Sequence, residues 1–204
     1  EFAKPVPSGL AMGIGAIASL LAMALFARRQ RRSASPLVDF RLFRDPYFSG
    51  GVIAAIVASV ALIGVELVFS QRLQLVSGLS PLQAGLTILP VPLAAFVAGP
   101  LAGMLLPRTG SRPLILGGLL ATALSLCGLA LAVDATGVLK LAVLVLLGLG
   151  VGATITAASN AIMNNAPAEH AGMAASIEEV SYELGGVLGL SLIHISEPTR
   201  LGMI

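Results

Sequence analysis

Long apolar segments constrain this chain more than any other feature of its sequence. A helix needs about 20 mostly apolar residues to cross the hydrocarbon core of a bilayer. Five segments meet that requirement, and a sixth begins near Met173: residues 8–27, 48–73, 82–106, 114–133 and 141–163. Each is predicted to be a helix, because a bilayer contains no water to satisfy open backbone groups. The predicted fold class is an all-α, polytopic membrane helix bundle with five complete transmembrane helices and a truncated sixth.

The composition excludes several other classes of protein. Of 204 residues, 56% are hydrophobic and only 11% are charged, whereas about a quarter are charged in a soluble domain. A net charge of +2, with no interleaved basic and aromatic run, gives no reason to expect a nucleic-acid partner. The single cysteine excludes a disulfide framework. No Ser/His/Asp or Cys/His set is available for nucleophilic catalysis, so we expect neither an enzyme nor a bound cofactor or metal.

The basic residues predict how the helices are oriented in the membrane. Cytoplasmic loops of membrane proteins carry an excess of Lys and Arg. Three basic residues fall on one side of the predicted spans, namely Lys4, Arg72 and Lys140, and eight fall on the other, namely Arg28, Arg29, Arg31, Arg32, Arg41, Arg44, Arg108 and Arg112. The side with eight is predicted to be cytoplasmic. The second span then runs outward, the third inward, and the later spans continue to alternate.

This topology divides residues 1–189 into three parts, and residues 190–204 form a fourth. Residues 1–32 form the first span and its basic flank, and residues 33–47 form a cytoplasmic connector. Residues 48–189 contain the other five spans, of which the last is truncated. The connector mixes charges with aromatic residues, so it is either a short interfacial helix or a solvated linker with apolar anchors.

The two ends of the chain suggest a piece of a longer protein. It begins with Glu1 and enters an apolar segment with no signal peptide before it. Residues 190–200, Leu-Ser-Leu-Ile-His-Ile-Ser-Glu-Pro-Thr-Arg, resemble the translation of a transposase-type sequencing adaptor. We therefore expect residues 190–204 to be a non-native tail, and an N-terminal half of the same chain to be missing.

Two motifs resemble a transporter family. Between the third and fourth spans, Gly103, Leu105, Arg108, Gly110 and Arg112 match the Gly-x-Leu-x-Asp-Arg-x-Gly-Arg-Arg loop of the major facilitator superfamily. Pro107 replaces its acidic residue, so the charge-relay role of that residue is not carried over, and the resemblance implies a conformational role for the loop. Read without the resemblance, two arginines at a cytoplasmic loop are more often a signal of topology alone.

The external turn at residues 74–90 resembles the fourteen-helix drug:proton antiporters of that superfamily, the quaternary-ammonium and methyl-viologen type of efflux pump. Within it, Ser80-Pro81 is a favourable helix start, with serine as the cap and proline in the first turn. The stretch from Gly148 to Gly172 is similar to the same family. The resemblance implies that the chain covers helix eight to early helix thirteen.

Acidic residues in the last span are the main candidates for chemistry. Glu178, Glu179 and Glu183 lie in the opening turns of that helix, and Glu183 falls near the bilayer midplane. A charged side chain at that depth costs at least about 2.5–3.5 kcal/mol, so each is expected to be protonated or to bind a cation. The alternative for Glu178 is an interfacial position favoured by the helix dipole. The resemblance implies roles in proton coupling and substrate recognition for all three.

Glu66 is a fourth acid within an apolar segment, in the outer half of the second span. It is either part of the proton-coupling and substrate-binding set or an external ion pair with Arg72. Some relatives carry an acid in the span that here contains Ala95. With that charge missing, we expect monovalent lipophilic cations to be favoured over divalent ones.

The resemblance implies a proton-coupled multidrug exporter, driven by the proton gradient and working by alternating access. The expected partners are small lipophilic cations such as quaternary ammonium compounds and cationic dyes, protons, and the lipid of a bacterial inner membrane. Two alternatives stay open: a transporter of amino acids or organic anions, and a non-transporting membrane sensor or scaffold.

Overall fold

The computed structural model describes residues 9–32, 39–131 and 137–196. Within those ranges the ordered elements are all helical. They are α1 (Gly9–Arg32), a 3-10 turn (Leu42–Arg44), α2 (Pro46–Leu75), α3 (Pro81–Ile88), α4 (Pro90–Thr109), α5 (Ser111–Leu131), α6 (Val138–Asn164), a second 3-10 turn (Ala168–His170) and α7 (Ala171–Ser196). Helix α1 belongs to one compact unit, Glu1–Phe40, and the other helices to a second, Arg41–Ile204.

Among the described residues, four helical stretches are long and apolar enough to cross a membrane: Pro46–Leu75, Pro81–Thr109, Ser111–Leu131 and Val138–Asn164. The apolar part of α1 is shorter, Gly13–Leu25, and α7 carries three glutamates. The polytopic membrane helix bundle expected from the sequence is confirmed.

Two helix starts show why the chain folds locally as it does. The carboxylate of Asp45 accepts hydrogen bonds from the backbone N–H groups of Tyr47 and Phe48, which caps α2. Ser80 and Gln83 form a reciprocal capping box, so Ser80-Pro81 begins a helix as expected. The connector contains a 3-10 turn, Leu42–Arg44, in which Leu42 is buried. Residues 33–38 of the connector lie outside the described part, and both interpretations of the connector stay predictions.

The third predicted span is two helices joined end to end. The hydrogen-bonded helix is interrupted at Leu89, whose backbone remains helical with φ −47° and ψ −33°. Pro90 and Pro92 follow, and neither has an N–H to donate to the preceding turn. Pro100 and Pro107 lie inside α4 without ending it, as membrane helices allow when neighbours compensate.

Close contacts give the relative directions of the helices. Gly148 and Gly152 of α6 approach the backbone of Val91 and Ala95 of α4, which makes those two helices parallel. By the same reasoning, Gly185 and Gly189 of α7 lie beside Ile56 and Val60, so α7 runs parallel to α2.

Helices α5 and α6 are antiparallel, because Ser111 bonds to Asn160 and Ser125 to the carbonyl of Val143. The two parallel pairs and the antiparallel pair agree with the alternation of spans that the basic residues predict.

Helix α6 is the centre of the second unit and packs against α2, α4 and α5. Its side chains Leu144, Leu147 and Val151 are at most 1% exposed. A Cβ at Gly150 would lie 2.7 Å from the carbonyl oxygen of Gly118 on α5. The Gly-x-Gly-x-Gly run therefore serves helix packing, where small residues let membrane helices approach closely.

Helix α7 continues through residues 190–196, the beginning of the segment predicted to be non-native. The rest of that segment, residues 197–204, lies outside the described residues. The non-native origin of the tail stays a prediction.

Candidate functional site

One face of α7 is fixed against α2. Ala174, Ile177 and Ser181 are buried on this face. A Cβ on Gly185 would come within 2.5 Å of the carbonyl oxygen of Ile56 and 2.6 Å of Cβ of Ser59. Only glycine allows this approach, so the backbone of α7 is held directly against α2. The rotation of α7 about its own axis is fixed by the same contact.

That rotation places two of the predicted acids on the open face of α7. Glu179 and Glu183 are both exposed, and their i, i+4 spacing makes them neighbours on one helix face. Val180 and Val187, on the same side, are 63% and 58% exposed. Glu183 lies about 18 Å along α7 from Ala171, a distance that agrees with its predicted position near the middle of a bilayer core of about 30 Å.

Acids at this depth almost always face a protein interior or a water-filled cavity rather than lipid. We call the surface formed by Glu179, Val180, Glu183 and Val187 the acidic face of α7. Because this face carries two acids, we expect protein or water to cover it rather than lipid.

Glu178 points elsewhere. It is half-buried, and its Oε1 accepts a hydrogen bond of 3.0 Å from the hydroxyl of Tyr182. The Tyr182 ring packs against Ala54 and Ala55 of α2 and Ala158 of α6. Glu178 is therefore tied to the packed side of α7. One signal for this pair is visible in the sequence, namely the i, i+4 spacing of Glu178 and Tyr182.

Glu66 lines a separate cavity of about 270 Å³ between α2, the α3–α4 break and α6. Glu66 is exposed, and the other residues that line the cavity are apolar: Leu62, Val65, Phe69, Ile88, Val91, Pro92, Ala95, Phe96, Leu144 and Leu147. The alternative for Glu66, an external ion pair with Arg72, stays a prediction. Six residues of α-helix separate them by about 9 Å along the axis and turn them to different sides.

The four acids thus lie at two different levels of the bundle rather than one. Because Gly185 lies beside Ile56, Glu183 is level with about residue 54 of α2. Glu66 lies 12 residues further along that helix, which is about 18 Å nearer the predicted external side. The sequence could not show that Glu66 and Glu183 lie at different levels. The position of a residue along its own helix does not tell which residues of a neighbouring helix lie beside it.

The predicted conformational loop is a tight turn between α4 and α5. Gly110 is its single linking residue and has φ +78°, a backbone conformation that favours glycine. Arg108 lies in the last turn of α4, while Gly103 lies on an open surface of that helix. Arg112 lines a groove of about 510 Å³ between α2, α5 and α6. The hydroxyl of Ser111 donates to Oδ1 of Asn160 at 2.9 Å, which ties the loop to α6.

Metal chemistry receives no support from the described residues. Among them, no group of three or more His, Cys, Asp and Glu side chains could hold a metal ion. What the arrangement offers instead is carboxylates at membrane depth, which can exchange a proton for a cation.

Comparison with known proteins identifies the family. Residues 6–190 match the model of the Major Facilitator Superfamily. The chain belongs to the Major Facilitator Superfamily. This agrees with the resemblance in the loop, the external turn and the acidic helix, and the chain is accordingly a multi-pass membrane protein.

Several curated relatives are drug-resistance or efflux proteins by name. The chain is 40% identical to the methyl viologen resistance protein SmvA of Salmonella typhimurium, over 86% of this chain and 36% of that protein. It is 37% identical to the multidrug efflux pump LfrA of Mycolicibacterium smegmatis, over 83% and 34%. It is 32% identical to the tetracenomycin C resistance and export protein of Streptomyces glaucescens, over 91% and 35%. The chain spans about a third of the length of these relatives.

Proposed function

We propose that this chain is part of a proton-coupled multidrug exporter of a bacterial inner membrane. The observation that carries the proposal is the acidic face of α7, on which Glu179 and Glu183 are exposed at membrane depth. The names of the relatives, which describe drug efflux and methyl viologen resistance, support the same assignment. We expect the remainder of the transporter to cover this face.

The mechanism follows from the cost of a membrane-buried charge. An ionised carboxylate near the midplane must be neutralised, because it is expensive in a low-dielectric setting. A proton and a cationic drug can each do so, and they compete for the same group. Binding a proton from outside releases the drug, and loss of that proton inside prepares the site for the next cation. Alternating access by rocking of helical halves carries the exchange across the membrane.

The loop between α4 and α5 has a mechanical part in this cycle. Gly110 allows the sharp reversal, and the hydrogen bond from Ser111 to Asn160 joins α5 to the central helix α6. Arg108 lies at the C-terminal end of α4, where the helix dipole favours a cation. The turn therefore moves with α6 as one piece. Pro107 supplies no charge, so no proton step passes through this loop.

The test is efflux of ethidium from proteoliposomes that contain the product of the complete gene, under an imposed pH gradient. Glu183→Gln should lower drug–proton exchange by about 100-fold or more, since it removes the group that accepts the proton. Glu169→Gln is the matched control, because Glu169 is an exposed acid in the turn before α7. Equal exchange by wild type and Glu183→Gln would contradict the mechanism. Uptake of an amino acid or organic anion in place of ethidium would indicate the other cargo.

A further inference from the structure

The cavity beside Glu66 has the composition of a site for an organic cation. Its volume is about 270 Å³, and Glu66 supplies its charge among otherwise apolar side chains. Ligand pockets for small molecules are commonly concave, mostly apolar and furnished with a few polar groups. At slightly under 300 Å³, this one suits a ligand with one aromatic ring or two.

Two aromatic rings line the same cavity as the carboxylate. Phe69 is 6% exposed and belongs to the packed core, whereas Phe96 is 79% exposed at the rim. The faces of aromatic rings attract organic cations, most strongly where water is excluded. A cation here would meet a carboxylate and two phenyl rings, while a neutral ligand of the same shape would gain only apolar contact.

The break between α3 and α4 adds to the same preference. Pro92 lines the cavity together with Ile88. Since proline has no N–H, the carbonyl of Ile88 loses the helical donor that residue 92 would otherwise provide. A carbonyl without its helical partner carries a partial negative charge, which favours a cation nearby.

The protein already places one of its own cations against this aromatic surface. The ammonium group of Lys140, in the first turn of α6, lies 5.8 Å from the centroid of the Phe69 ring. Lys140 is thus a tethered cation in contact with a ring of the cavity. Its charge opposes the entry of a second cation.

We propose that this cavity is a distinct binding site for a monovalent lipophilic cation, held by Glu66, Phe69 and Phe96 and weakened by Lys140. The inference rests on the proposed function and goes beyond it by assigning a second cation site. This site lies about 18 Å closer to the external side than Glu183. A cation released from the acidic face of α7 would occupy it before leaving the protein.

The test is equilibrium binding of radiolabelled benzyltrimethylammonium to the purified product of the complete gene in lipid nanodiscs. Glu66→Gln should weaken binding by about tenfold or more, because the cavity loses its charge. Glu169→Gln, the exposed control, should bind as wild type does. Neopentylbenzene, which has the same shape without the charge, should compete poorly with the wild-type site. Unchanged binding by Glu66→Gln, or full competition by the neutral compound, would overturn the proposal.

A second pair of variants keeps the test decisive if Glu66→Gln does not fold. Phe96→Ala removes an exposed ring of the cavity, and Leu93→Ala shortens an exposed apolar side chain of the same helix outside it. Phe96→Ala should weaken binding by about two- to fivefold relative to Leu93→Ala. Equal binding by the two variants would refute the site. Lys140→Gln should tighten binding by a similar factor, and weaker binding by that variant would also count against it.

Failure of this site and failure of the exporter assignment give different results. If Glu183→Gln abolishes ethidium efflux while Glu66→Gln binds the probe like wild type, the function stands and the second site is wrong. If the wild-type protein neither exports ethidium nor binds the probe, the proposed function itself is wrong, and this inference falls with it.

Discussion

Helices α6 and α7 both use small residues for close packing, but the two helices have different roles. In α6, Gly148 and Gly152 approach α4 on one side, and Gly150 approaches α5 on another. In α7, Gly185 and Gly189 approach α2 alone. A helix that packs against neighbours on several sides has a structural role, and its packed surface is apolar. A helix packed on one side keeps a free face, and here that face carries Glu179 and Glu183.

The difference shows that the packing glycines determine where the acids lie. The same contact that fixes α7 against α2 turns its carboxylates away from that helix. Variants that disturb one or the other glycine contact should therefore have different effects. A change in the α5–α6 contact should remove folded protein, and a change in the α2–α7 contact should remove transport first.

The largest effect is expected at the α5–α6 contact, from Gly118→Val in the complete protein. A Cβ at Gly118 would lie 2.7 Å from the carbonyl oxygen of Gly150, so α5 and α6 must separate. Overpacking of this kind costs about 1–3 kcal/mol or more. We expect a strong loss of the monodisperse peak in fluorescence-detected size-exclusion chromatography. Gly117→Val is the control, because a Cβ there meets nothing within 4 Å, and an equal loss from it would contradict the comparison.

The next effect is expected at the α2–α7 contact, from Gly185→Val. The added side chain meets the backbone of Ile56 and must shift or rotate α7. We expect the melting temperature to fall less than in Gly118→Val, since fewer helices meet here, while ethidium efflux falls by about tenfold or more because the acids are misplaced. Gly172→Val, in open space at the start of the same helix, should retain efflux. A Gly185→Val protein with normal efflux would show that the rotation of α7 does not matter.

A smaller effect is expected from adding a charge to the Glu66 cavity. Ala95 lines that cavity, so Ala95→Asp gives it a second carboxylate. The variant should bind methyl viologen, a dication, about tenfold more tightly than wild type, because a second charge-assisted contact becomes available. Isothermal titration of the purified protein measures this affinity. Unchanged affinity for the dication would show that charge number does not set the preference for monovalent cations.

The smallest effect is expected from Tyr182→Phe. The ring still packs against Ala54, Ala55 and Ala158, but Glu178 loses the hydroxyl donor at 3.0 Å. The loss of one hydrogen bond should cost about 0.5–1.5 kcal/mol, visible as a modest fall in melting temperature. Tyr47→Phe is the control, since Tyr47 is 54% exposed. A larger fall for Tyr47→Phe would indicate that the Tyr182–Glu178 bond contributes nothing to stability.

The sequence by itself determined the membrane bundle, the positions of its helices and the capped start at Ser80. These follow from local rules: about 20 apolar residues per span, and side chains that bond to their own backbone within four residues. It also predicted that the four acids lie at membrane depth. It predicted the tight turn at Gly110, whose φ of +78° is a local property of glycine.

Only the tertiary structure decided which acids share a site. The sequence grouped Glu66 with Glu178, Glu179 and Glu183. The fold sets Glu66 in its own cavity, ties Glu178 to Tyr182, and leaves Glu179 and Glu183 on the open face of α7. The physical reason is that helical periodicity gives the angle between two side chains of one helix, but not the direction of either. That direction is set by close contacts between distant segments, such as Gly185 against Ile56.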